Sequence, residues 1–197
     1  MATTIPSSKD LEELLPGGDL REVGSQATWS LSSCKPGFGV VQLRDNNNDT
    51  YWQSDGPQPH LVSINFRRKM PITAIAIYAD YKVDESYTPS KLSVRVGSHF
   101  NDLEEIKVAE LHEPVGWAVV EVTKSPTTVS SALNSPSKDP VRAFMIQLAV
   151  LQNHQNGRDT HIRQIKVFAP TAALRSKTSC LWTDFTTIDM QQHCNIR

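Results

Sequence analysis

The sequence predicts an all-β fold, a sandwich or jelly roll, and two observations carry that expectation. From Trp29 onward, short runs of β-branched and aromatic residues recur between clusters of Gly, Pro, Asn and Asp. Between these runs no stretch shows the 3.6-residue apolar period of an amphipathic helix, which selects a sandwich or jelly roll over an α/β fold. At 197 residues the chain is long enough for one sizeable core and short for two. The expected organisation is a flexible N-terminal arm over 1–20, one sandwich over 21–170 and a C-terminal tail over 171–197.

Each strand has its own signature. Residues 60–66 alternate cleanly, with Val62, Ile64 and Phe66 on one face and Ser63 and Asn65 on the wet face. Residues 72–78 are apolar on both faces, as a central strand covered on each side requires. Alternation returns over 91–96, where Leu92, Val94 and Val96 point inward, and over 142–151, where Phe144, Ile146, Leu148 and Val150 share a face. Residues 117–122 and 162–168 add two strands, and 29–32 and 106–111 two weaker ones, for about eight in all. Leu11 to Leu15 suit one helical turn capped by Ser8 or Asp10. Residues 124–140 have loop composition and little to bury, which predicts a disordered excursion. In it, Ser135-Pro136 fits a proline-directed kinase site.

Composition narrows the function. Lys and Arg total 20 against 21 Asp and Glu, a net charge of -1, which lacks the basic footprint of a nucleic-acid or anionic-membrane binder. No run reaches the roughly 18 apolar residues of a spanning helix, and the N-terminus lacks a signal-peptide pattern. A soluble intracellular protein is expected, in which the Asn48-Asp49-Thr50 glycosylation match is accidental. Cys34, Cys180 and Cys194 are widely spaced and odd in number, and read as free thiols.

Three loops carry polar chemistry. Asn153 to His161 separates two strong strands and crowds Asn153, Arg158, Asp159 and His161 around Asn156-Gly157, the strongest short hairpin signal. Such a loop reads a peptide or sugar by hydrogen bonds. His154, Asp159 and His161 also invite a metal or hydrolase reading, but no third ligand element of comparable pattern exists, so no metal or other cofactor is expected. The second loop, Asp80 to Lys91, sets Tyr81 and Tyr87 beside Ser86, Asp84 and Glu85, rigid contact area of the kind binding loops favour. In the third, Trp52 is expected to plug the core. No Gly-x-Ser-x-Gly elbow occurs, and Gly37-x-Gly39 opens no expected helix, which argues against nucleophilic catalysis and against a nucleotide loop.

Several of these runs are more specific. Trp29-Ser30-Leu31-Ser32-Ser33-Cys34-Lys35-Pro36-Gly37-Phe38-Gly39-Val40, Thr50-Tyr51-Trp52-Gln53-Ser54-Asp55-Gly56, Asp84-Glu85-Ser86-Tyr87-Thr88-Pro89-Ser90-Lys91 and residues 153–166 resemble the DOC-domain subunits of the anaphase-promoting complex. The resemblance covers about residues 21–170 and the last residues of the chain. It implies a galactose-binding-like jelly roll that is no enzyme itself. Such a domain acts with a separate WD40 coactivator to capture the destruction-box degron of substrates, and raises the processivity of ubiquitination in mitosis. It further implies that Ser86, Tyr87, Asn156, Gly157, Arg158, Asp159 and His161 face the degron. The terminal Ile196-Arg197 is similar to tails that dock in tetratricopeptide scaffold subunits. Nucleus and cytoplasm are the expected locations. The alternative from another class is a stand-alone carbohydrate-binding lectin on the same sandwich.

Overall fold

The computed structural model describes residues 3–8, 10–16, 20–122 and 140–171. Thirteen strands are described in it. They are β1 (Thr3–Ile5), β2 (Ser7–Ser8), β3 (Leu20–Glu22), β4 (Ala27–Leu31), β5 (Trp52–Gln53), β6 (His60–Ile72) and β7 (Ala74–Asp80). There follow β8 (Pro89–Gly97), β9 (Glu104–Leu111), β10 (Val115–Glu121), β11 (Val141–Asn153), β12 (His161–Ile162) and β13 (Gln164–Pro170). Six strands form one sheet in the order β1-β9-β8-β11-β6-β4, and five form the other in the order β2-β10-β7-β13-β3. All pairings are antiparallel except β1 with β9, and a two-stranded ladder of β5 and β12 closes one end. Two sheets packed face to face, with non-sequential neighbours, make the expected sandwich.

The core follows from strand alternation. Val62, Ile64 and Phe66 of β6, Leu92, Val94 and Val96 of β8, Ile75 and Ile77 of β7 and Trp52 all face inward and are buried. Trp52 is fully covered, and its indole Nε1–H donates to the Ser33 carbonyl at 3.0 Å. The second face of β7 is covered as well: Ala74 and Ala76 lie under Trp117, Val119 and Phe168, and Leu11, Leu14 and Leu15 pack onto that patch. Leu11 and Leu14 belong to α1 (Leu11–Leu14) and Leu15 follows at its C-cap, so the expected helical turn exists and has a task.

Four expectations change. The described part of residues 1–20 is tied to the body rather than loose, because β1 pairs with β9, β2 with β10, and Ile5 joins the core. An apolar helix face and open sheet edges are buried more favourably than left in water. Ser63 does not face water but is buried on the outer side of the sheet, where Gln147 Nε2 donates to its hydroxyl at 3.4 Å. Phe144 falls out of the apolar alternation and is 37% exposed, since the ladder of β11 with β6 jumps from Ala143–Met70 to Met145–Asn65. A bulge of this kind turns a side chain to the other face. Finally, Gly39 does open a helix, α2 (Val40–Arg44), where its N–H donates to Gln42 Oε1 at 2.9 Å. The five-residue length had no room to show a period.

The sequence expectations for 124–139 and for 172–197, including Ser135, Cys180, Cys194, Ile196 and Arg197, lie outside the described residues. Among the described residues no helix is long and apolar enough to cross a membrane.

Candidate functional site

The two loops that the sequence singles out come together at the end of the sandwich where β7 finishes and β8 begins. After β7, the chain makes a short helix α3 (Tyr81–Asp84), opened by Asp80, whose carboxylate accepts from Lys82 N–H at 3.0 Å, and then a 3-10 turn over Glu85–Tyr87. The second loop leaves β11 through another 3-10 turn, His154–Asn156. The two are stitched at backbone level: His154 N–H donates to the Thr88 carbonyl at 2.9 Å, and the Thr160 hydroxyl donates to the Tyr87 carbonyl at 3.3 Å. His154 Nε2 accepts from Glu113 N–H at 3.2 Å, which leaves the proton on Nδ1 to bond the Thr88 carbonyl at 3.1 Å.

Asn156-Gly157 does not make the two-residue hairpin turn its sequence suggests. The positive φ values fall on Gln155 (51°) and Asn156 (57°), and β11 and β12 pair with different strands. Gly157 has an ordinary φ of -56° and is needed for another reason. A Cβ there would run into the carbonyl oxygen of Ser86. The glycine is the point at which the two loops touch. Around it the second loop is held from within: Asn153 Nδ2 donates to the carbonyls of Gly157 (3.1 Å) and Asp159 (2.8 Å), and His60 Nε2 bonds the Arg158 carbonyl at 2.8 Å.

Beneath the loops lies a charged and aromatic support. Asp84, buried, accepts from Arg163 Nε (2.9 Å, on Oδ2) and Nη2 (2.9 Å, on Oδ1), and from His161 Nδ1 at 3.2 Å on Oδ1. Two parallel guanidinium bonds to one carboxylate are the strong form of this pair. Burial opposes the Asp84 charge, but the hydrogen bonds from His161 and Arg163 and the Arg163 charge outweigh it and hold the carboxyl below its ordinary value. On Arg163 burial disfavours the charge, and the bonds to Asp84 more than restore it, so its pKa is raised. The His161 ring is clamped between Tyr51 and Tyr87, each 4.3 Å away, and Phe38 extends the stack beyond Tyr51 at 5.0 Å. Arg163 also lies 5.7 Å from the Tyr51 ring and donates from Nη1 to the Asn48 carbonyl at 2.8 Å.

The predicted site residues therefore divide. Ser86, Tyr87, Asn156, Gly157, Arg158 and Asp159 sit together on the rim, with Tyr87 40% exposed and Asn156 and Arg158 exposed. Among the described residues the side chains of Asn156 and Arg158 have no hydrogen-bond partner. Val83, 66% exposed, adds an apolar contact to the same rim. His161 lies below, 8% exposed, and positions Tyr87. Its Nε2 is buried and has no hydrogen-bond partner among the described residues, while Nδ1 faces Asp84, so the carboxylate orients the ring that stacks on Tyr87. Among the described residues no group of three or more His, Cys, Asp or Glu is placed to hold a metal. Sequence reasoning misses Asp84–Arg163 as a unit. Its signal is an arginine set in the apolar 162–168 run, a buried charge that demands a partner; the partner lies 79 residues away in sequence.

The flanking loop over 45–50 is fixed from the same strand. Gln164 Nε2 lies 2.7 Å from Asp45 Oδ1, 2.9 Å from the Asn47 carbonyl and 3.1 Å from that of Gln42, while its Oε1 accepts from Asn46 N–H at 3.2 Å. Burial opposes the Asp45 charge, but the bonds from Thr50, Asn47 and Gln164 together outweigh it and hold the carboxyl below its ordinary value. Gln164→Leu, which strips these bonds, is expected to lower the unfolding free energy by about 1–3 kcal/mol in urea denaturation. Amide exchange over 45–50 should rise with it.

Comparison with known proteins gives this fold and site a family. The family described as "Anaphase-promoting complex, subunit 10" matches residues 4–195. A Homo sapiens protein, "Anaphase-promoting complex subunit 10", is 55% identical over 98% of this chain and 96% of its own length. The Drosophila melanogaster protein of the same name is 52% identical over 98% and 93%. A Saccharomyces cerevisiae protein, "Anaphase-promoting complex subunit DOC1", is 34% identical over 81% of this chain and 60% of its own. Among solved structures, a family 32 CBM from C. perfringens NanJ in complex with galactose aligns with TM-score 0.59 at 15% identity, covering 76% of this chain and 98% of its own. An F5/8 type C domain from Bacteroides fragilis aligns with TM-score 0.60 at 12% identity, covering 78% and 99%. At such identities these likenesses speak to the galactose-binding-like jelly roll alone, whereas the sequence matches are close and nearly full-length: the chain belongs to the subunit 10 (DOC1) family of the anaphase-promoting complex.

Proposed function

We propose that this subunit is a non-catalytic destruction-box co-receptor, which holds a substrate degron jointly with a separate WD40 coactivator and so raises the processivity of ubiquitination by the complex. The observation that carries this reading is the rim built from two loops about 70 residues apart in sequence, locked at Gly157–Ser86 and backed by the Tyr87–His161–Tyr51 stack. Tyr87 and Val83 offer apolar contact, and Asn156, Arg158 and Asp159 offer free donors and acceptors to an extended peptide. Such a rim is small, and alone it supports weak binding. When a coactivator holds the other half of the same peptide, the second contact becomes intramolecular and gains strength by effective concentration.

In this reading Ile196-Arg197 anchors the chain in a tetratricopeptide scaffold subunit, its guanidinium and branched apolar side chain suited to a concave repeat groove. The nucleus and cytoplasm are the proposed places of action. The galactose in one structural neighbour belongs to that protein, and a lectin role is tested by glycan-array binding of the isolated chain.

The reading predicts that Asn156→Ala with Arg158→Ala, both exposed, lowers the unfolding free energy by only about 1 kcal/mol, the cost of alanine at the positive φ of Asn156. In reconstituted complex it should lower the number of ubiquitins added per substrate encounter by about tenfold. Unchanged processivity would remove these side chains from the reading.

A further inference from the structure

The opposite end of the sandwich carries a second surface. Along β6 the ladder with β11 is regular as far as Asn65 and resumes at Met70, so four residues of β6 span a step for which β11 supplies one. The ladder with β4 ends at Phe66. Arg67, Arg68 and Lys69 thus have a ladder partner on neither side, and all three are exposed. Arg142, also exposed, pairs with Pro71 just beyond them. Among the described residues none of these four cations has an ion-pair partner; Arg68 Nη2 meets only the neutral Gln26 Oε1, at 3.3 Å.

Two grooves flank the excursion. One is lined by Ser25, Gln26, Ala27 and Thr28 with Phe66, Arg67, Arg68 and Met70, and contains no acidic side chain among the described residues. The other places Lys69 and Arg142 with Asp102, Glu104 and Glu105. Like charges set side by side on unpaired backbone repel one another, and the fold gains nothing from them. They become favourable when an anionic group reaches them. A long anionic polymer would meet Asp102, Glu104 and Glu105 on the far side, and the chain as a whole carries -1. A short acidic stretch of protein fits the acid-free groove without that repulsion, and its apolar floor of Phe66 and Met70 suits a side chain between two carboxylates.

We infer that the Arg67–Arg68–Lys69 excursion docks an acidic segment of another component of the anaphase-promoting complex. The inference rests on the family and the geometry, not on the degron reading. His60, at the other end of β6, bonds the degron loop, and nine residues of extended strand separate it from Lys69, about 30 Å. The two surfaces are therefore open to separate partners at once.

The test uses the assembled complex and a zero-length carbodiimide, which joins a lysine amine to a carboxylate in direct contact. Lys69 is expected to link to an Asp or Glu of another component. Links from Lys69 only to acids of its own chain, such as Asp102, Glu104 or Glu105, overturn the inference. In parallel, full-length wild type and Arg67→Glu/Arg68→Glu are titrated into complex assembled without this subunit. The charge reversal should bind at least about tenfold more weakly, with wild-type affinity falling as salt rises, while Arg67→Lys/Arg68→Lys stays within about threefold. Equal affinity for wild type and the reversal overturns the inference, as does tighter binding of wild type to a 20-base-pair DNA probe than to the complex. At subunit concentrations that saturate incorporation, degron cross-linking at Asn156 is expected to be the same in all these variants, so failure here and failure of the co-receptor reading are told apart.

Discussion

Asp84→Ala is expected to lower the unfolding free energy by about 3–5 kcal/mol, measured by urea denaturation at neutral pH. The carboxylate is buried and takes three hydrogen bonds from two side chains, so its loss strands the Arg163 guanidinium in a covered site and frees the His161 ring. Asp84→Asn keeps the shape but not the charge and should fall between. The pH dependence follows from the direction of the shift. Because the folded state holds the Asp84 carboxyl below its ordinary value, the contribution is fully present above the unfolded pKa and is lost as pH falls through the folded one. The stability gap between wild type and Asp84→Asn should close as pH falls below about 4. A gap that persists in strong acid contradicts the assigned support.

Gly157→Ala is expected to have the larger functional effect. The added methyl meets the Ser86 carbonyl, which is backbone and cannot rotate away as a side-chain tip does. Either the two loops separate or the His154–Asn156 turn shifts, at a cost of about 1–3 kcal/mol. Ser86 and Tyr87 then no longer share a surface with Asn156 and Arg158. Processivity should fall at least as far as with both rim side chains removed, about tenfold, while incorporation into the complex is retained. Loss of incorporation together with processivity would place Gly157 in assembly instead.

Much of the fold is legible because burial writes a period into strands. Val62, Ile64 and Phe66, and Leu92, Val94 and Val96, read inward in the sequence and are buried in the structure. The reading fails where a strand is irregular. Phe144 keeps the alternation on paper, but the bulge beside it turns it outward, and a bulge depends on the register with a neighbour rather than on the residues of one strand. The N-terminal segment misleads for a related reason: two- and three-residue strands and a four-residue helix carry no period, and only the open faces they cover explain them.

The site is legible in its parts and not in its assembly. Clusters of Tyr, Ser, Asn and Gly mark both loops. That Gly157 abuts Ser86, or that Asp84, His161 and Arg163 form one unit beneath, requires contacts made across 77 and 79 residues of chain. His161 illustrates the difference. Its residue type places it among contact residues, whereas its burial between Tyr51 and Tyr87 makes it a support, whose removal should act through Tyr87.

The most direct test of the co-receptor account replaces Asn156 with a photo-crosslinking amino acid in the assembled complex, with coactivator and a destruction-box substrate present. The account predicts a cross-link to the degron that appears only with coactivator and disappears when the destruction box is mutated. A cross-link absent under these conditions, or one unaffected by mutating the destruction box, would contradict it.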